Sequence, residues 1–168
     1  MTAPRPRAVR TTSPAETEGL GRCLGALLRA GDVVALSGDL GAGKTVLARG
    51  IAEGAGTRGH IASPTFTLIR EYHGPVVVYH ADLFRLDEPA QLADVGLEEV
   101  LDGAGVTIIE WAEKARALLP AEYLGIEIRF TDQEEVREIL LVPYGARYEA
   151  MVGRLLGRQG ERDAHPGD

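Results

Sequence analysis

The pattern of apolar and polar positions divides the chain into alternating helices and strands. Leucines at helical spacing follow Ser13, which begins a capping box, and they predict a helix over residues 14–29. Residues 33–36 form a short apolar run without alternation, which predicts a central strand covered on both faces. The pattern then predicts a helix over residues 45–55 and a loop over residues 56–62.

Further strands and helices are predicted over the rest of the chain. The pattern predicts strands over residues 67–72, 76–80, 106–109, 122–130 and 136–142. It predicts helices over residues 89–101, with a break at Gly96, and over residues 147–156. The last two strands alternate apolar with polar residues, which is typical of an antiparallel pair with one face in solvent. Residues 1–12 and 157–168 lack periodicity, so we expect loose terminal arms.

Composition restricts the class of protein. A chain of 168 residues with 45% hydrophobic content predicts a single domain over residues 1–168 that buries its core without disulfides. Cys23 is the only cysteine, and no apolar run reaches the length of a membrane span or resembles a signal peptide. We therefore expect a cytoplasmic protein with no membrane contact. The net charge of −7 argues against an electrostatic grip on nucleic acid, so any contact with RNA should be indirect.

One segment indicates nucleotide binding. Residues 38–45 read Gly-Asp-Leu-Gly-Ala-Gly-Lys-Thr and match the P-loop motif G-x-x-x-x-G-K-[ST] between a predicted strand and a predicted helix. Glycines let backbone N–H groups surround phosphate oxygens, and the helix N-terminus adds positive potential. The Thr45 hydroxyl suits Mg²⁺. The expected nucleotide-binding residues of this segment are Asp39, Gly41, Ala42, Gly43, Lys44 and Thr45.

Two further observations concern the nucleotide. Lys44 and Lys114 are the only lysines in an arginine-rich chain, and a compact ammonium suits the β- and γ-phosphates better than a guanidinium fork. Guanine-specific P-loop proteins use an N-K-x-D segment, and the chain contains no Asn, so ATP is favoured. Motif and element order together predict an α/β, three-layer P-loop NTPase fold. Its central sheet should be mostly parallel, with an antiparallel strand pair at the edge.

Two carboxylates follow predicted buried strands. Glu110 follows residues 106–109 and Asp82 ends another apolar run, so both belong at the carboxyl edge of the sheet, where ligands gather. They compete for the Mg²⁺ role; one should hold the metal and the other should orient water. Thr65 lies in a Ser/Thr-rich loop whose hydroxyls suit the γ-phosphate or Mg²⁺. The four histidines show no ligand spacing, and Trp111 fits either core packing or the rim of the site.

Four segments together resemble a known family. Residues 38–45, 63–67 (Ser-Pro-Thr-Phe-Thr), 80–86 (His-Ala-Asp-Leu-Phe-Arg-Leu) and 109–114 (Ile-Glu-Trp-Ala-Glu-Lys) resemble, in this order and spacing, the bacterial TsaE (YjeE) family. The resemblance covers about residues 13–154. It implies an ATPase that works with TsaD and TsaB to make threonylcarbamoyladenosine next to the anticodon of tRNA. Carbamoyl transfer would belong to TsaD, while this protein resets the complex by hydrolysis.

The same resemblance assigns roles to individual residues. Thr45 and Glu110 would carry Mg²⁺, and Lys44 with the P-loop amides would hold the phosphates of ATP or ADP. Thr65 and Asp82 would surround the γ-phosphate and its water, so that the catalytic set is Lys44, Thr65, Asp82 and Glu110. Ser13 would lie near the adenine.

Two other classes of function remain open at this point. A small-molecule kinase uses the same P-loop, although the arginines here are not clustered in a lid-length insert. A nucleotide-gated binding module without turnover is the other class, and the two strand-end carboxylates count against it. Because no clear arginine finger is visible, we expect an ATPase to be weak alone and stimulated by its partners.

Overall fold

Eight strands form a single mixed sheet in the computed structural model, which describes residues 3–62 and 68–163. The strands are β1 Arg7–Thr11, β2 Val33–Gly38, β3 Arg58–Ala62, β4 Ile69–His73, β5 Val78–Asp82, β6 Val106–Glu110, β7 Tyr123–Phe130 and β8 Arg137–Tyr144. The helices are α1 Pro14–Gly25, α2 Lys44–Gly54, α3 Leu92–Val95, α4 Leu97–Leu101 and α5 Ala146–Asp163. Short 3₁₀ helices span Pro89–Gln91 and Ala112–Leu118. Among the described helices, none combines the length and apolarity needed to cross a bilayer.

The sheet is less parallel than the sequence predicts. Its strand order is β1-β8-β7-β2-β6-β5-β4-β3, and only the central pairs β7–β2, β2–β6 and β6–β5 are parallel. The other four neighbouring pairs are antiparallel, so the expectation of a mostly parallel sheet is wrong. Short connections join β4 to β5 and β7 to β8, and connections this short can only join antiparallel strands.

The terminal segments and one internal loop also differ from expectation. Residues 7–11 form β1, an edge strand beyond the expected β7–β8 pair, and residues 157–163 continue α5. Residues 58–62, expected to be loop, form β3. The side chains of β1 are mostly exposed and polar, so this strand is held by backbone pairing with β8 and leaves little hydrophobic pattern in the sequence. The helix break at Gly96 is confirmed, with a φ of 85°.

Apolar side chains cover both faces of the central strands. Val34 and Leu36 of β2 belong to a cluster with α1, α2 and α5, whereas Val33 and Ala35 belong to a cluster with α3 and α4 on the opposite face. Successive side chains of a strand point to opposite faces, so a run buried on both sides is apolar throughout. The prediction of a central strand at this position is therefore confirmed, and it places the end of β2 beneath the start of α2.

Glycines allow α1 and α2 to approach each other closely. A Cβ atom added at Gly21 would lie 2.6 Å from the Leu47 carbonyl oxygen, and one at Gly25 would lie 2.1 Å from the Ile51 carbonyl oxygen. Gly50 and Gly54 of α2 are equally close to the backbone of α1. Because the two backbones are in contact, α1 fixes the position of α2 over the sheet.

This contact predicts that Gly25→Ala destabilises the protein by about 1–3 kcal/mol, since the added methyl group must push the helices apart. Gly19→Ala is the matched control, because its Cβ would be 3.8 Å from a flexible arginine side chain and alanine favours the helix. Urea denaturation measures both. Equal stability of the two variants would contradict the helix contact.

Candidate functional site

The segment between β2 and α2, residues 38–43, forms a tight loop that we call the glycine loop. Gly38, Gly41 and Gly43 have φ values of 143°, 81° and 115°, a region that other residues rarely adopt. Gly43 is the N-cap of α2 and offers no side-chain cap, and the first turn of α2 has no acidic residue. The first backbone N–H groups of a helix have no partners within the helix. This end of α2 therefore suits an anion.

The glycine loop is also held from the opposite side of the fold. Arg137 of β8 donates from Nε to the Ala42 carbonyl oxygen at 3.0 Å, and its Nη1 donates to the Glu134 and Val136 carbonyl oxygens. The guanidinium lies 4.6 Å from the centre of the Phe130 ring. The β7–β8 hairpin thus contacts and supports the glycine loop through Arg137.

Lys44 is folded back over the glycine loop. Its Nζ donates to the Gly38 carbonyl oxygen at 2.5 Å and to the Asp39 carbonyl oxygen at 2.9 Å, and it lies 4.1 Å from the centre of the Trp111 ring. Burial lowers the pKa of Lys44, an effect that nearby carboxylates, Glu110 foremost, only partly offset. The ammonium is held by neutral carbonyl groups and an aromatic face. An anionic ligand binds an ammonium more strongly than a neutral carbonyl group does, so it could replace these carbonyl groups.

Glu110 lies at the end of β6 and is 2% exposed. Its Oε1 accepts a hydrogen bond from the Thr45 hydroxyl at 2.8 Å, and its Oε2 is 2.5 Å from Nε2 of His80. Burial alone would raise the pKa of Glu110, but the hydrogen bonds from His80 and Thr45 and the nearby positive charge outweigh it and lower the pKa. The carboxylate is therefore ionised at neutral pH and links β6 to α2 and to β5.

Asp82 lies beside Glu110 in the register of the parallel strands β5 and β6. It is exposed, and its Oδ1 accepts a hydrogen bond from the Phe84 backbone N–H at 3.1 Å. A cavity of about 270 Å³ is lined by both carboxylates and by Lys44, Thr45, Phe84 and Trp111. The parallel strands thus bring the two carboxylates together at the edge where they were predicted, with Glu110 as the one in contact with Thr45.

Trp111 lies half-buried at the rim of this cavity. It is the only described non-glycine residue in the left-handed region, with a φ of 58°, a conformation that costs roughly 1–2 kcal/mol. Its ring packs against Phe84, with 5.2 Å between the ring centres. Lys114 donates to the carbonyl oxygens of Phe84 and Leu86, both at 2.7 Å. These contacts fix the segment that follows Asp82.

Ser13, another predicted site residue, lies apart from this group. Ser13 is the N-cap of α1, as its sequence context predicts, because its hydroxyl accepts a hydrogen bond from the Glu16 backbone N–H at 3.1 Å. The next residue, Pro14, lines a second cavity of about 260 Å³ with the glycine loop and Arg137. A contact of Ser13 with adenine stays a prediction. Thr65 lies outside the described residues, so its role near the γ-phosphate also stays a prediction.

Three residues of the site were missed by sequence reasoning: His80, Lys114 and Arg137. The histidines show no ligand spacing in the sequence, yet His80 lies two residues before Asp82 and therefore on the same face of β5. The rarity of lysine could have identified Lys114, which is one of only two lysines in the chain. Arg137 reaches the glycine loop across 95 residues of sequence, and no local pattern reveals such a contact.

The chain is similar to known proteins over most of its length. The sequence model of the family described as threonylcarbamoyl adenosine biosynthesis protein TsaE matches residues 11–139. The chain is 42% identical to the tRNA threonylcarbamoyladenosine biosynthesis protein TsaE of Bacillus subtilis, over 87% of this chain and 91% of that protein. It is 40% identical to the protein of the same description from Streptomyces coelicolor, over 77% of this chain and 91% of that protein.

A solved structure has the same fold. The crystal structure of YdiB from Bacillus subtilis superposes with a TM-score of 0.78 and 36% sequence identity, covering 95% of this chain and 99% of that one. The structural similarity therefore extends over nearly the whole chain.

Proposed function

The chain belongs to the TsaE family, whose members are threonylcarbamoyladenosine biosynthesis proteins, and on that premise we propose that it is a Mg²⁺-dependent ATPase acting on a TsaD–TsaB complex. Its hydrolysis of ATP supports the modification of tRNA next to the anticodon. The observation that carries the proposal is the convergence of Lys44, Thr45, Glu110 and Asp82 on one cavity beside the glycine loop. That set contains a cation for phosphates, oxygen ligands for Mg²⁺ and a carboxylate for water.

Phosphate binding rests on the glycine loop and Lys44, in a P-loop arrangement. The uncapped N–H groups at the start of α2 face the position of the phosphates, and the left-handed glycines allow the backbone to curve around them. Lys44 would donate to phosphate oxygens in place of the carbonyl oxygens of Gly38 and Asp39 that it now contacts.

Thr45 and Glu110 fit the requirements of Mg²⁺. Their side-chain oxygens are 2.8 Å apart, and Mg²⁺ prefers hard oxygen ligands of this kind, commonly one or two carboxylates with water and phosphate. Bound Mg²⁺ would neutralise charge that develops on the phosphates during transfer. The buried, ionised Glu110 would hold the ion directly or through water.

We assign the orientation of the attacking water to Asp82. It is exposed toward the cavity and lies beside Glu110, with the segment behind it fixed by Lys114. A negative carboxylate can accept a hydrogen bond from water and direct its lone pair toward the γ-phosphate. Because Asp82 is exposed, a proton released from the attacking water can pass directly to solvent.

Two exposed apolar residues at this cavity support a partner-dependent activity. Leu40 is 69% exposed and Phe84 is 45% exposed, and both line the cavity mouth. Exposed apolar groups around a site are typical of surfaces that a partner covers. We propose that TsaD–TsaB docks nearby and orders the site, while tRNA is contacted through the complex, in keeping with the net charge of −7.

Lys44→Ala should weaken ATP binding about 10- to 100-fold, because the phosphates lose their main cation. Arg49→Ala, which removes a positive charge from an exposed position of the same helix, should leave the affinity unchanged. Titration with a fluorescent ATP analogue measures both. Near-normal affinity of the Lys44 variant would contradict the proposed phosphate site.

Asp82→Asn should bind ATP and join TsaD–TsaB like the parent, yet lose the partner-stimulated turnover, since the amide keeps the shape but not the charge that aligns water. Phosphate release with and without TsaD–TsaB measures this. Lost binding of ATP by the variant would indicate a different role for Asp82. Stimulated turnover equal to the parent's would remove Asp82 from the catalytic set.

A further inference from the structure

We propose that His80 is a positioning residue for the metal site: it holds Oε2 of Glu110 so that Oε1 faces the Thr45 hydroxyl. The inference rests on the proposed Mg²⁺ and ATP site, and it assigns the buried histidine of β5 a role within that site. The observation behind it is the His80–Glu110–Thr45 chain of contacts, which joins three elements at the cavity.

The strand register explains why His80 reaches Glu110. On β5, His80 lies opposite Ile108 of β6, and Asp82 lies opposite Glu110. His80 and Asp82 share one face of β5, so the histidine is the diagonal neighbour of Glu110 on that face. One strand thus supplies the group that holds Glu110 and, two residues later, a second carboxylate at the same cavity.

The chemistry of the His80–Glu110 contact indicates which group donates the hydrogen bond. An ionised carboxylate can only accept hydrogen bonds, so Nε2 of His80 must carry the proton that faces Oε2. His80 is 6% exposed and Glu110 is 2% exposed, so water cannot readily take the place of either partner. With Oε2 occupied in this way, the oxygen that remains for the Thr45 side is Oε1.

Histidine is a suitable holder because its ring is rigid and packed. The Tyr72 ring is stacked beside it, with 6.5 Å between the ring centres. A carboxylate held by such a group cannot turn to another rotamer without breaking a buried hydrogen bond. Groups that orient a metal-binding side chain commonly contribute 10- to 100-fold to metal affinity.

The first experiment is a double-mutant cycle in EDTA, which needs neither metal nor nucleotide. Urea unfolding is measured for the parent protein, His80→Ala, Glu110→Ala and the double variant. We expect the double variant to lose clearly less stability than the sum of the two single losses, because each single change leaves the other group buried without its partner. Additive losses would overturn the proposed contact.

The second experiment measures how much Mg²⁺ each variant needs for tight binding of a fluorescent ATP analogue. His80→Ala should need about tenfold more Mg²⁺ than the parent, with unchanged affinity in EDTA. His80→Gln should stay close to the parent, because its amide can donate from a similar position. The control is His73→Ala, which removes an exposed histidine paired with Glu71 and should have no effect.

The outcomes separate the two proposals. An unchanged Mg²⁺ requirement in His80→Ala, or a loss in His80→Gln as large as in His80→Ala, would overturn the assignment of His80. If Mg²⁺ had no effect on the parent protein, the proposed ATPase site would be contradicted. In that case the cycle in EDTA still decides whether His80 holds Glu110.

Discussion

A carboxylate buried as deeply as Glu110 is tolerated only when both of its oxygens have donors, because an unpaired buried charge costs several kcal/mol. Thr45 supplies one donor from the first turn of α2, and His80 supplies the other from β5. The charge of Glu110 therefore fixes the relative positions of two strands and a helix. Glu110 thereby stands at the cavity with Asp82 beside it.

The central parallel strands and α2 supply the groups that surround the Glu110 carboxylate. The parallel strands β2, β6 and β5 end at one edge, so the glycine loop, Glu110 and Asp82 come together there. Glycines between α1 and α2 let the backbones touch, which holds α2 against the sheet with little freedom to move. The antiparallel strands extend the sheet on both flanks, and β8 contributes Arg137 as a tether for the glycine loop.

The sequence predicts the elements that are buried on both sides better than those at the edges. The apolar run of β2 and the capping box of α1 leave strong local patterns, and the strand-end positions of Asp82 and Glu110 place both at one cavity. The edge strand β1 has exposed polar side chains and is held by backbone pairing, so it leaves little pattern. The role of His80 depends on β5 pairing with β6, whose paired residues lie 28 positions further along the chain.

In the proposed function, the γ-phosphate of ATP is transferred to water when TsaD–TsaB is present. The most direct measurement follows γ-labelled ATP incubated with Mg²⁺ and this protein, with and without TsaD–TsaB, and identifies the labelled product. We expect free inorganic phosphate, released faster with the partners than by the protein alone. Label in a phosphorylated metabolite, or ATP that stays intact even with both partners present, would contradict it.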